Sequence, residues 1–153
     1  MLRVLLIGYG NSLRGDDALG PMALERLRTT LEGTESISCH QLGPELAEPI
    51  ANSDLTVFMD ASAIGEPGAV HVQRLFLKAR QSSKSASLTH HMAPGVLLEM
   101  AQTLYGRAPQ AMLVTGTGAN FESGEGLSEQ AQEALEVICR LVPMLVRDYP
   151  AMW

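Results

Sequence analysis

Asp17, Asp60 and the adjacent histidines His90 and His91 are the residues whose types and positions could do chemistry together. Asp17 closes the polar stretch that follows the apolar run Val4–Ile7, and Asp60 directly follows Leu55-Thr56-Val57-Phe58-Met59. A carboxylate at the end of an apolar strand is informative, because burying a charge costs several kcal/mol unless something pairs with it. A metal ion would supply that pairing. Two carboxylates and one imidazole form an O,O,N set with coordination positions left open, which suits a divalent transition metal without choosing between zinc and nickel. Each residue also has a plainer reading. Asp16 or Asp17 could cap the helix that follows, Asp60 could close a turn or meet a lysine, and a loop histidine is commonly surface. The conjunction, rather than any single member, points to a site.

Other constellations are weaker. Gly8-Tyr9-Gly10-Asn11-Ser12-Leu13 begins like a dinucleotide-binding fingerprint, but Leu13 stands where close helix packing wants glycine, and no acidic residue closes a convincing second strand. Gly8 and Gly10 then read as residues that let the chain turn sharply after a strand. There is no GxSxG nucleophile motif. Cys39 precedes His40, but neighbours in a strand point to opposite faces and form no dyad. Cys139 falls among Ile138 and Leu141 and reads as core. The two cysteines lie in no CxxC pattern, so neither a zinc site nor a disulfide framework is expected.

The elements that would carry these residues alternate. Val4–Ile7 is a short apolar run bounded by glycine, as in a strand buried on both faces. Gly20, Leu24, Leu27 and Leu31 follow at helical spacing, with Pro21 suited to a first turn. Ser36–His40 reads as a second strand, Pro44–Ala51 as a brief helix weakened by Pro49, and Leu55–Met59 as a buried strand. Val70–Phe76 reads as a strand near the sheet edge, Gln81–Leu88 as a serine-rich loop, Pro94–Leu104 as a helix and Met112–Thr115 as a short strand. A glycine-rich stretch, Thr115–Gly126, leads to a last helix over Ser128–Val146, with Ser128 as N-cap and no capping box, since Ala131 stands three residues on. Pro143 should kink that helix or end it early. The expected architecture is a single-domain α/β three-layer sandwich over 1–153, with a mostly parallel twisted sheet and helices on both faces. Sites in such sheets form beyond the carboxyl ends of the strands, where both aspartates fall.

Composition narrows the classes further. With 153 residues and 46% hydrophobic content, the chain suits one domain with one core. Three Phe, three Tyr and one Trp leave that core to aliphatic side chains and give no aromatic-lined sugar cleft for the carboxylates to serve. A formal net charge of -6 argues against nucleic acid as a partner, and Lys78–Lys84 is too thin and too broken by serine to offset it. No segment has the length to span a bilayer, and the apolar start is too short for a signal peptide core, so a cytoplasmic protein is expected. Nothing demands more than a monomer.

The stretch from Leu5 through Gly8-Tyr9-Gly10-Asn11-Ser12-Leu13-Arg14-Gly15-Asp16-Asp17 to Pro21 resembles the opening of the hydrogenase maturation endopeptidases. Those enzymes trim a C-terminal extension from the large subunit of nickel-iron hydrogenases once nickel is installed. Their pattern is a hydrophobic strand, G-x-G-N, then a D-[DE] pair whose second member is a metal ligand; that member matches Asp17 here. A strand ending in D-A supplies the second ligand and matches Val57-Phe58-Met59-Asp60-Ala61. An H-x-[LM] loop before a helix supplies the histidine, and Thr89-His90-His91-Met92-Ala93-Pro94 matches with His90 in register and His91 one residue off. Phe121–Ser128 is similar to the family's approach to its last helix, so the resemblance spans nearly the whole chain. Two segments depart. His40–Leu46 replaces a D-G-G-T-like segment and looks like the members serving NAD-linked bidirectional hydrogenases, and Thr117-Gly118-Ala119-Asn120 stands where many members have Glu-Pro.

The resemblance implies a metal-dependent endopeptidase acting on a nickel-iron hydrogenase large-subunit precursor. Asp17, Asp60 and His90 would be both its metal ligands and its catalytic residues. Nickel would be presented by the precursor, with other divalent metals open in vitro. It implies no nucleic-acid or membrane partner. A docking or assembly chaperone module, using the same ligands without cutting, is the alternative from another class. A nucleotide-binding α/β protein is a third.

Overall fold

The computed structural model describes residues 2–77 and 92–149. The chain alternates as expected: β1 (Val4–Tyr9), a 3-10 turn (Gly15–Ala18), α1 (Leu19–Arg28), β2 (Thr34–Cys39), a 3-10 turn (Pro44–Leu46) running into α2 (Ala47–Ala51), β3 (Leu55–Ser62), β4 (Val70–Leu75), α3 (Pro94–Tyr105), β5 (Gln110–Thr117) and α4 (Glu129–Asp148). The five strands form one sheet in the order β2-β1-β3-β5-β4, parallel except for β4, which pairs antiparallel with β5 at the edge. The expected serine-rich loop Gln81–Leu88, together with His90 and His91, lies outside the described residues.

Side-chain alternation along the strands sorts the core into two layers. Val4, Leu6, Val57, Met59, Met112 and Val114 pack on one face under Leu24, Leu27, Leu135 and Ile138 of α1 and α4. Leu5, Ile7, Phe58 and Ala111 pack on the other under Ile50, Leu97, Leu98 and Ala101 of α2 and α3. This is the three-layer sandwich that the apolar runs imply. Because β2 lies on one side of β1 and β3 on the other, the direction of winding reverses between β1 and β3, and the carboxyl ends of those two strands part to leave a crevice.

Two expectations need correction. Pro143 does not end the last helix, which continues to Asp148. The lost hydrogen bond is local, whereas Ala134, Leu135, Ile138, Val142 and Leu145 bury one continuous face on both sides of the proline and hold the helix to the sheet. Neither Asp16 nor Asp17 caps α1: its N-cap is Ala18, and no side chain bonds there. Ser128 does cap α4, its hydroxyl oxygen accepting from the Ala131 N–H at 3.1 Å. No helix among the described residues is long and apolar enough to cross a membrane.

Candidate active site

The close seating of α1 brings the ends of β1 and β3 together. Gly8 lies against Gly20, where an added Cβ on Gly8 would stand 2.5 Å from the Gly20 carbonyl oxygen. A Cβ on Gly20 would run into the carbonyl oxygens of Met59 and Tyr9. Glycine at these points therefore lets a helix start directly beneath two strand ends. Gly10, at φ 149°, turns the chain so closely past Asp17 that an added Cβ would run into the Asp17 carbonyl oxygen.

That turn places Asp17 on the 3-10 turn beside β1, where its Oδ2 accepts from the Asn11 N–H at 2.6 Å. Asp60 closes the apolar part of β3, and its Oδ1 accepts from the Ala61 N–H at 2.7 Å. Strand alternation sets Leu5, Ile7 and Tyr9 on the same face as Phe58 and Asp60, and the Tyr9 hydroxyl is a hydrogen-bond donor to the Asp60 carboxylate. Burial pushes the Asp60 carboxyl up to about 6; the bonds from Ala61 and Tyr9 favour its charged form, and the nearby Asp17 charge opposes it. Burial, then the Asp60 charge, raises the Tyr9 hydroxyl far above its ordinary value, so it stays protonated and donating. A carboxyl titrating near neutrality beside a second carboxylate has the electrostatics of a functional pair.

Asp17 and Asp60 share a cleft of about 710 Å³, lined also by Tyr9, Asn11, Arg14, His40, Gln41, Leu42, Phe121 and the segment Met92–Pro94 that opens α3. Both expected carboxylates therefore meet in one cavity. The expected histidine cannot be placed, but Met92, two residues after His90, is part of the cleft wall. Among the described residues, no group of three His, Cys, Asp or Glu side chains could hold a metal ion. The described donors are thus two carboxylates, and the imidazole of the expected set must come from outside them.

Three residues hold places here that the sequence does not assign to them. Tyr9 was visible in principle, two positions beyond Ile7 on a strand whose odd residues face the same way. His40 is exposed just past the end of β2 and lines the cleft. Asp16 is the third. It is only 1% exposed, and its two oxygens accept from the Ala119, Asn120 and Ser128 N–H groups and the Ser128 hydroxyl at 2.7–3.0 Å. Burial alone would raise its pKa, but these four donors outweigh burial and hold it below the ordinary carboxylate value.

No protein-family model and no curated protein matches the chain. Solved structures do. The hydrogenase maturating endopeptidase HybD from E. coli is 24% identical, with a TM-score of 0.76 over 97% of this chain and 94% of its own. The [NiFe] hydrogenase maturation protease HycI from Thermococcus kodakarensis is 25% identical, with a TM-score of 0.75 over 95% and 93%. A hydrogenase 2 maturation peptidase from a Thaumarchaeota archaeon is 20% identical, with a TM-score of 0.67 over 94% and 97%. The fold of this chain is that of the hydrogenase maturation proteases, as the opening motif leads one to expect.

Proposed function

We propose that this chain is a maturation endopeptidase that removes the C-terminal extension of a nickel-iron hydrogenase large-subunit precursor once nickel is bound. The observation that carries the reading is the convergence of Asp17 and Asp60 on one cleft at the winding reversal between β1 and β3. Solved relatives of the fold bear that activity in their names. We take the precursor to be that of an NAD-linked bidirectional hydrogenase, on the strength of His40–Leu46, whose first three residues line the cleft. We take the chain to act in the cytoplasm as a monomer.

In this reading nickel arrives with the substrate, and Asp17, Asp60 and His90 complete its coordination, with His91 as the alternative imidazole. The metal supplies Lewis acidity at the cut site. The chain's own residues hold the donors ready. The Asn11 N–H fixes one oxygen of Asp17, and the other takes no hydrogen bond among the described residues. The Ala61 N–H and the Tyr9 hydroxyl orient Asp60 and keep its charged form accessible near neutral pH. Specificity follows because only a nickel-loaded precursor fills the remaining positions.

The test is the mass of a nickel-loaded cognate precursor before and after incubation with the protein. A short C-terminal peptide should be lost, and no loss should occur when nickel is withheld. Asp17→Asn, Asp60→Asn and His90→Ala should each abolish the loss. Normal cleavage by any one of them would remove that residue from the site. Binding of the cognate precursor with no change in its mass would instead make the chain a docking module.

A further inference from the structure

Arg14 stands outside the proposed ligand set, yet it lines the same cleft as Asp17 and Asp60. Its backbone is held on three sides. The N–H donates to the Asn11 carbonyl at 3.1 Å, the carbonyl accepts from the Asp17 N–H at 3.1 Å, and the residue forms a parallel bridge with Gly124. Its side chain is exposed. Among the described residues the guanidinium takes part in no ion pair, although Arg26, Arg28, Arg107 and Arg147 each do. Asp17 and Asp60 share its cavity and make no ion pair with it. Residues 78–91 contain neither Asp nor Glu, so they bring no carboxylate to it.

A fixed backbone carrying an uncommitted guanidinium into a cleft is an arrangement for taking an anion from outside. The planar fork matches a carboxylate through two parallel hydrogen bonds. In a chain of net charge -6, whose cleft already holds two carboxylates, Arg14 is the one Lys or Arg among the described residues that line it, and it favours an anionic group at its own position. Any C-terminal extension ends in a carboxylate by definition, and its Asp or Glu side chains carry the same group.

We infer that Arg14 is a specificity residue that binds a carboxylate of the precursor's C-terminal extension, supplied by the chain terminus or by an acidic side chain of the tail. This rests on the processing reading above. The interaction is made to the intact substrate, remote from the reacting bond, so its loss weakens binding while the chemical step keeps its rate.

Steady-state cleavage of the nickel-loaded cognate precursor by the wild-type protein, R14K and R14Q tests the inference, once matching melting temperatures confirm that all three fold. R14Q should raise KM about tenfold, the scale of one charged hydrogen bond, with kcat unchanged. R14K should recover only part of the loss, since a point charge lacks the fork. Two altered precursors identify the source. With tail Asp and Glu changed to Asn and Gln, the difference between wild type and R14Q vanishes if a side chain is bound. With the tail lengthened by glycines, it vanishes if the terminus is bound. An unchanged KM for R14Q, a fall in kcat at constant KM, or a difference that survives both alterations overturns the role assigned to Arg14 and leaves the processing reading standing. A wild-type protein that fails to shorten a verified cognate precursor overturns the processing reading itself, and this inference with it.

Discussion

Two aspartates in this chain, Asp16 and Asp60, do opposite work. Asp16 is buried with four donors, so its charge is stabilised in the folded state and its pKa lies below the ordinary value. Its stabilising effect is therefore present above the unfolded carboxyl value of about 4 and is lost as pH falls through the folded value. Asp16→Asn should cost about 2–3 kcal/mol at pH 7, or roughly 5–10 °C in Tm for a domain of this size. The gap from wild type should close in melts below about pH 4. Asp60 behaves in reverse. Its carboxyl is raised to about 6, so the proton it holds favours the fold below about pH 4, and that advantage is lost as pH rises to the folded value. Asp60→Asn should thus melt higher than wild type at pH 7 while abolishing processing, with the difference fading in acid. A lower Tm for Asp60→Asn at pH 7 would mean that the charge is compensated rather than strained. Tyr9→Phe removes a donor to the Asp60 carboxylate, so the Asp60 titration in the metal-free protein, followed by carboxyl NMR, should move above about 6.

At the scale of the elements, the helix that seats the site depends on missing side chains. Gly20→Ala would drive a methyl group into the carbonyls that end β1 and β3. It should destabilise by about 3 kcal/mol and reduce processing even where the fold survives, which denaturant unfolding and cleavage assays would separate. Pro143→Ala should do the opposite in α4, restoring a helical N–H and adding about 1–3 kcal/mol of stability, with cleavage unchanged. These elements also mark what the sequence could tell. The apolar runs ending at Ile7 and Met59 announced buried strands, and their terminal polar residues announced the site, because buried parallel strands leave only their ends for chemistry. Pro143 does not bring the early end that local propensity allows, because the apolar face that overrides it runs along a helix of twenty residues. Capping by Asp16 or Asp17 is the plain role that spacing offers, because the real partners of Asp16 lie 103 to 112 residues away, a distance at which spacing carries no signal. Arg14 sits in a loop, where no periodicity shows which way a side chain turns, and the strand expected to include His40 ends one residue earlier, at Cys39.

Across the whole molecule, the Asp16 bonds join the segment after β1 to the one after β5. Gly15 and Gly124 add a backbone bond at 2.9 Å to the same seam. Asp16→Asn should therefore speed amide hydrogen exchange together at Ala119, Asn120 and Ser128, while Leu6 and Val57 in the middle of the sheet keep their protection. Exchange confined to one side of the seam would show that the two segments are held separately. The seam also has a consequence for the protein's own birth. The groups that set the shape of residues 9–17 are made more than 100 residues later, at roughly five to twenty residues per second during synthesis. Until the stretch before α4 has emerged, the turn bearing Asp17 lacks its anchor. A nascent or truncated chain that lacks this stretch can build strands without yet presenting a finished cleft.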